Sequence, residues 1–339
     1  MEIAGVLDYA VGFVVMAGIY SVMALGLNVQ WGFTGLFNIG IAGFFALGAY
    51  TSALLTGPPP RGQFEDYVFG GDWAETASLG LGVDLWFFLG IAAAMLVCAV
   101  VAMVIGYVTL RLNEDYLAIA TLGIAESVRL FFLNEKWAAN GSRGLYNIPQ
   151  FLDDWIAPDK YDYLYVVVVL AALAVLFLAV HQAVHSPWGR VLRAIREDEM
   201  AAEASGKDVS KFKLQAFILG AVIMGIGGAL FAHKIRFLSP QTFDPLLATF
   251  IIWAMLMVGG SGNNVGAVLG AFVVWGIWSG TQFMPGVFKD PNFRFFMIGA
   301  LIVGVMLLRP GGILGEARRA SRPRAAAGRP AEEDAADTG

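Results

Sequence analysis

His181 and His185 stand four residues apart, a spacing that brings two imidazoles to one face of a helix and could hold a metal ion. Neither an H-E-x-x-H pattern nor a neighbouring cysteine completes such a site, so the pair reads as helix-end histidines and no metal is expected. The run Gly259-Gly260-Ser261-Gly262-Asn263-Asn264 lacks the lysine of a phosphate-binding loop, and Val265 stands where a dinucleotide fingerprint needs its third glycine. No nucleophile–base–orienter set can be assembled, which disfavours a membrane enzyme built on His181, His185 or Glu126; no catalytic residue is expected. The remaining marked residues are amides and charges close to or inside apolar stretches. Asn28, Gln30, Thr34 and Asn38 surround Trp31-Gly32-Phe33-Thr34-Gly35, while Gly260, Ser261, Asn263 and Asn264 form a second group. Glu126 and Arg129 put opposite charges three residues apart on one helical face.

The elements that must position these residues follow from composition. The chain has 339 residues, 58% hydrophobic and 14% charged, with a mean hydropathy of +0.66. Soluble domains carry roughly a quarter charged residues, so this is an integral membrane protein. Its one cysteine, Cys98, lies in an apolar stretch and excludes an internal disulfide. Apolar stretches occupy 8–30, 36–56, 86–110, 116–134, 163–184, 214–233, 248–258, 265–283 and 294–308. Most approach the ~20 residues that cross hydrocarbon as a helix; 248–258 is too short. The period-2 alternation of barrel strands is absent, leaving helices to close the backbone hydrogen bonds. The expectation is an all-α integral membrane protein, a polytopic helical bundle of about eight or nine spans with broken or re-entrant helices. The start of the chain holds Glu2 and Asp8 but no Lys or Arg, so the first span is expected to be retained rather than cleaved.

The helical pattern breaks at 31–35 and again at 259–264. Each break is either a tight cytoplasmic turn or irregular backbone at membrane depth, which is tolerated only under cover of protein or beside a water-filled cavity. Transporters line their solute routes with such broken helices. On that second reading Asn28, Gln30, Thr34, Asn38, Gly260, Ser261, Asn263 and Asn264 belong to a substrate pathway. Both breaks precede helices rich in small residues, a weak internal repeat. The stripes Gly262, Gly266, Gly270 and Ala221, Gly225, Ala229 permit close helix approach, within one subunit or between two. Glu126 and Arg129 should pair or face protein, as a structural ion pair toward the outer headgroups or, alternatively, in solute passage.

Cations place the two sides of the membrane. The 186–213 segment holds Arg190, Arg193, Arg196, Lys207, Lys211 and Lys213, and the C-terminal tail a further cluster, whereas 57–85 and 135–162 are rich in acids. The basic side is cytoplasmic, giving an inside C-terminus and an outside N-terminus. Within 186–213, Ser186 and Pro187 start a helix as cap and first residue. Trp188, Val191, Leu192 and Ile195 share an apolar face, with Arg190, Arg193 and Arg196 turned toward headgroups. Residues 200–204 form a short helix that Gly206 stops in a left-handed cap, and Ser210 caps the next helix. Such a projecting hairpin is either an ordinary loop or a plug another protein can grip. The tail 316–339, rich in Ala, Arg, Pro and Glu, reads as disordered.

Taken together, these segments resemble the LivM-type permeases of the branched-chain amino-acid group of bacterial ABC importers. The resemblance covers about residues 17–315. It is strongest over Ser186-Pro187-Trp188-Gly189-Arg190-Val191-Leu192-Arg193-Ala194-Ile195-Arg196-Glu197-Asp198-Glu199, continuing through Ala202-Glu203-Ala204 and Gly206. Gly35-Leu36-Phe37-Asn38-Ile39-Gly40, Asn140-Gly141-Ser142-Arg143-Gly144-Leu145 and Arg309-Pro310-Gly311-Gly312-Ile313-Leu314-Gly315 support it in order along the chain. Departures occur at Ala139-Asn140-Gly141, where the family usually has Gly or Thr-Gly-Gly, and at Phe37-Asn38-Ile39-Gly40, where Ser-Leu-Gly or Ser-Phe-Gly is common. The 57–85 loop is also long.

The resemblance implies a permease domain over 1–315, with periplasmic loops at 57–85 and 135–162 and a cytoplasmic coupling loop at 186–213. It implies a second, LivH-type permease subunit, two cytoplasmic ATPases and a periplasmic substrate-binding protein in the bacterial or archaeal inner membrane. The ATPases would grip Glu197, Asp198, Glu199, Ala202, Glu203, Ala204 and Gly206. ATP and Mg would be bound by those partners, with no cofactor on this chain and no nucleic acid. Branched-chain or similar amino acids are the expected solutes. Urea, amides or another small polar solute are the alternative, and a free-standing secondary transporter or channel is a further one.

Overall fold

The computed structural model describes residues 3–57, 67, 78–79, 83–152, 160–283, 290–309 and 311–315. The tail 316–339, most of 57–85 and part of 135–162 therefore lie outside the described residues. The described chain is helical apart from one short antiparallel pair, Ser78–Leu79 with Val83–Asp84. In order the helices are α1 (Ile3–Leu27), α2 (Ile41–Thr56), α3 (Leu85–Thr109), α4 (Glu114–Asn134), α5 (Tyr161–His185), α6 (Pro187–Glu197), α7 (Glu199–Ala204), α8 (Val209–Ile235), α9 (Pro245–Gly259), α10 (Asn264–Gly280) and α11 (Pro291–Leu308).

Six helical stretches are long and apolar enough to span a bilayer: Gly5–Gly32, Leu85–Thr109, Asp115–Asn134, Tyr161–His185, Val209–Ile235 and Asn264–Phe283. The expected eight or nine spans are not confirmed among the described residues, where Ile41–Thr56, Leu247–Gly259 and Phe293–Leu308 are apolar but shorter. Two of these are shortened by the breaks. The apolar run starting at 36 becomes helical only at Ile41, and α9 ends at Gly259 where the second break begins.

α8 is the hub. Of its most apolar window 72% is buried, against 22% in α3 and α5, which turn apolar surface outward. Small residues make the hub possible. A Cβ at Gly48 of α2 would collide with the Gly225 backbone of α8, and one at Gly225 would sit 2.5 Å from Cys98 Sγ of α3. The Ala221, Gly225, Ala229 stripe is thus consumed by packing within the chain, as are Gly266 and Gly270 of α10 against Gly259 of α9.

Contacts along the hub set helix directions. Phe44 meets Phe217, Gly48 meets Gly225 and Ser52 meets His233, so α2 runs parallel to α8. Gly26 packs on Gly220 and Met23 on Gly227, so α1 runs antiparallel to it. The Tyr163 hydroxyl donates to Asp8 at 2.7 Å, and Lys234 pairs with Asp162. The starts of α1 and α5 therefore share one end of the bundle with the end of α8. The α6–α7 hairpin lies at the opposite end.

Candidate functional site

Far apart in sequence, the two breaks meet in space. α1 leaves its regular path through a π-helical turn at Asn28–Gly32, closed by Phe33 N–H donating to the Asn28 carbonyl at 3.0 Å. Asn28 Nδ2 donates to Asn264 Oδ1 at 2.9 Å, and its Oδ1 accepts from the Gly262 backbone N–H at 2.9 Å. Gly32 lets these segments close, since a Cβ there would lie 2.5 Å from Gly262 N. Gln30 Nε2 donates to the Phe217 carbonyl of α8 at 2.8 Å and its Oε1 accepts from Asn38 Nδ2 at 2.7 Å. Asn38 Oδ1 then caps the approach to α2 by accepting from Gly40 N–H at 2.7 Å. Thr34 Oγ1 donates to the Val29 carbonyl. Asn28, Gln30, Thr34, Asn38 and Asn264 are all buried, and each polar group named has a protein partner, as buried amides require.

The second break is secured from below. Gly260 adopts φ +110°, and the turn at 311–315 tucks under it, with Leu314 N–H donating to the Gly259 carbonyl at 3.0 Å. Asn263 caps α10, its Oδ1 accepting from Val265 N–H at 3.0 Å while its Nδ2 donates to the Leu314 carbonyl. Ser261 sits half-buried beside it. Trp31, Phe37 and Trp253 pack edge to face and tilted over the first break, with Trp253 Nε1 donating to the Asn38 carbonyl at 3.1 Å. These residues form a hydrogen-bonded clamp joining two helix interruptions. Their polar groups are turned to one another.

At the other end of α1 from its start lies the 186–213 segment. Ser186 Oγ accepts from Trp188 N–H at 3.2 Å and Pro187 opens α6, as its sequence requires. Asp198 caps α7 by accepting from Ala201 N–H at 2.9 Å, and Gly206 ends it at φ +77° with open space around it. Ala202 turns inward onto Ile195 and Val209. Glu197, Asp198, Glu199, Glu203, Ala204 and Gly206 remain exposed, with Met200 at the tip 80% exposed. α8 is capped by Asp208 rather than Ser210: the Asp208 carboxylate accepts from Lys211 N–H and pairs with its ammonium at 2.7 Å. Those two hydrogen bonds hold the Asp208 carboxyl below the usual carboxylate range. Arg196 does not reach outward with Arg190; it turns in and donates to the Gly32 carbonyl. Gly35, at φ +79°, leaves the slot its stem fills, with a Cβ there only 3.2 Å from Arg196 Cγ. Lys213 pairs with Glu199 at 2.5 Å beside it.

Glu126 and Arg129 form an ion pair on α4, Arg129 Nε donating to Glu126 Oε2 at 2.8 Å. Their side chains keep 37% and 18% of their exposure, so in this chain alone the pair meets the surroundings. The rings of His181 and His185 lie tilted with centroids 4.1 Å apart near the end of α5, and no group of three or more metal-ligating side chains occurs among the described residues. Sequence reasoning missed His233 of α8, which is buried with Nε2 against Ser52 Oγ at 2.8 Å and Nδ1 against the Pro149 carbonyl at 2.9 Å. It ties the loop at 135–152 to the bundle, and a lone histidine at the end of an apolar span carries no flanking signal of that role.

Residues 9–306 match the family described as branched-chain amino acid transport system / permease component. The chain is 31% identical to the high-affinity branched-chain amino acid transport system permease protein LivM of Salmonella typhimurium, over 90% of this chain and 70% of that one. It is 26% identical to a probable branched-chain amino acid transport permease protein LivM of Methanocaldococcus jannaschii, over 88% and 91% of the two chains. The permease protein LivH of Salmonella typhimurium is 22% identical, over 89% of this chain and 93% of its own. No solved structure matches the chain.

Proposed function

This chain belongs to the family of branched-chain amino acid transport permease components, and from that premise we propose that it is one of two permease subunits of an ATP-driven, binding-protein-dependent importer. Branched-chain or similar amino acids are its solutes, as the relatives' names support. The observation that carries this reading is the α6–α7 hairpin: a capped, projecting plug whose exposed residues are those a partner would grip. Glu197, Asp198, Glu199, Glu203, Ala204 and Gly206 meet a cytoplasmic ATPase that binds ATP and Mg, with Ala202 anchoring the plug from inside. A LivH-type subunit is the second permease, and a periplasmic binding protein delivers solute to the outer loops.

The protein is a multi-pass membrane protein. In the proposed arrangement the three shorter apolar helices also cross or enter the bilayer, interspersed among the six long ones. With the basic hairpin inside, the N-terminus lies outside and the C-terminus inside. Residues 1–315 then act as the permease, with 57–85 and 135–162 outside and 316–339 as a cytoplasmic tail. The clamp at Asn28, Gln30, Thr34, Asn38, Gly260, Ser261, Asn263 and Asn264 shapes the solute route by fixing both interruptions.

The test is reconstitution in proteoliposomes with the partner permease, both ATPases and the binding protein, measuring uptake of labelled leucine, isoleucine and valine. ATP-dependent uptake, outcompeted by branched-chain amino acids and not by urea or short amides, is expected. Uptake by this chain alone under an ion gradient without ATP would overturn it in favour of a secondary transporter.

A further inference from the structure

The hairpin meets the rest of the bundle at several places, among them a hydrogen bond from Trp188 Nε1 to Gln215 Oε1 of α8 at 2.9 Å. Gly189 of α6 lies so close to the end of α5 that a Cβ would overlap the Val184 backbone. Ile195 and Ala202 pack on Val209 at the start of α8. Another contact is Arg196, whose guanidinium donates to the Gly32 carbonyl while its stem rests on Gly35. The contacts with α5 and α8 lead into long regular helices, whereas that of Arg196 leads directly to irregular backbone.

Gly32 is the last residue of the π-turn that carries Asn28, and a Cβ on it would lie 2.5 Å from Gly262 N. Asn28 in turn holds Gly262 and Asn264, so one carbonyl stands between the hairpin and both interruptions. A small cleft of about 40 Å³ opens beside this junction, lined by Thr34, Gly35, Leu36, Arg196, Glu199 and Lys213 among others. Lys213 holds Glu199 at its edge, so the acidic start of α7 is positioned by the same corner.

We propose that Arg196 is the positioning residue that transmits movement of the α6–α7 hairpin to the paired breaks, through its hydrogen bond to the Gly32 carbonyl. This rests on the hairpin being the seat of the ATPase. A π-turn carbonyl is a suitable receiver, because its irregular hydrogen bonding lets the segment shift without unwinding a whole helix. A guanidinium is a suitable transmitter: it stays charged, and its planar fork holds direction better than a lysine stem. For binding free energies such coupling is reciprocal, so cutting this junction weakens it from either side.

The experiment uses the reconstituted importer with Arg196→Met, which keeps an unbranched stem against Gly35 and removes the donors, and with Arg196→Lys. Met200→Cys is introduced into each background to cross-link the hairpin to the ATPase. Cross-linking in the otherwise wild-type chain tests the underlying reading by itself; its absence overturns both that reading and the proposal built on it. With cross-linking present, Arg196→Met is expected to keep it and to keep basal ATP hydrolysis. Stimulation of hydrolysis by solute-loaded binding protein and uptake per ATP should both fall about tenfold, within the usual range of coupling between sites. Arg196→Lys should recover part of both. A residue that only stabilised the fold would lower the yield of assembled complex and leave uptake per ATP unchanged. That outcome in Arg196→Met overturns the proposal, as does uncoupling in Arg196→Lys equal to that in Arg196→Met. If Arg196→Met does not assemble, Arg196→Lys decides alone: wild-type uptake per ATP overturns the proposal and a partial loss supports it.

Discussion

Replacing Asn28 by alanine removes two hydrogen bonds from the place where the interruptions meet. Gly262 N–H loses its acceptor at 2.9 Å and Asn264 Oδ1 loses its donor at 2.9 Å, both in buried surroundings. Each orphaned group costs about 1–3 kcal/mol, so the substitution should destabilise the chain by about 2–6 kcal/mol. Asn264→Ala leaves only Asn28 Nδ2 without its partner, about 1–3 kcal/mol. In the double variant the Asn28–Asn264 contact is gone from both sides, and the Gly262 N–H is the one group named here left exposed to the loss. The double cost should therefore fall short of the sum of the singles by the two orphaned groups it spares, about 2–6 kcal/mol on the same count. Trp31 and Trp253, with ring centroids 5.3 Å apart over the break, are local fluorescence reporters. The assay is the midpoint of SDS-induced unfolding in mixed micelles for the four members of the cycle. Additive single costs, or a cost below about 0.5 kcal/mol for Asn28→Ala, would show that water or an alternative partner already serves these groups.

Gly48→Leu should prevent accumulation of the folded chain, since a side chain there drives into the α8 backbone, whereas Gly123→Leu should be tolerated because nothing lies within 4 Å of a Cβ at that position. Membrane yield and detergent-solubilised elution profiles distinguish the two; equal yields would mean α2 and α8 are not packed this closely. Glu126→Gln removes the hydrogen-bonded counterion of Arg129 within an apolar helix, leaving the Coulombic attraction of Asp244, and should lower yield. Adding Arg129→Gln should recover it, and failure to recover would mean the charges act separately. Asp208 has a lowered carboxyl pKa in the folded chain, so its cap is fully stabilising above about pH 4, the ordinary value, and is lost as pH falls through the lowered one. Hydrogen exchange at the Lys211 amide, corrected for intrinsic pH dependence, should accelerate below that point in the parent chain. Asp208→Asn should abolish the acid dependence while keeping a cap; persistence of the dependence would assign it to another group.

The features legible from sequence were those fixed within a few residues. Ser186-Pro187 and the left-handed Gly206 are local signals, and they appear where expected. Ser210 was the wrong cap because Asp208, two residues earlier, offers a charged acceptor to Lys211 N–H and an ion pair besides. The breaks were legible because glycines and amides interrupt apolar runs. That they join each other was not, since 236 residues separate the Asn28–Asn264 pair and no periodicity reports a contact at that distance. Arg196 lies off the apolar face of α6, which favours headgroups on helical pattern alone. The missing Cβ of Gly35, on another element, gives its stem a place to go.

The buried amides also constrain how this subunit can move. Were Asn28, Gln30, Asn38 and Asn264 lining an open route, their groups would be exchanged between water and solute at little cost. They are instead spent on Phe217, Gly262 and one another in surroundings without room for solvent. Separating the interruptions would expose several such groups at once, at about 1–3 kcal/mol each. Pulling on Gly32 from the hairpin therefore costs less if π-turn, second break and the adjoining turn of α8 travel together. Movement then falls on surfaces that carry no such bonds, the outward apolar faces of the bundle, which slide against lipid without breaking these hydrogen bonds.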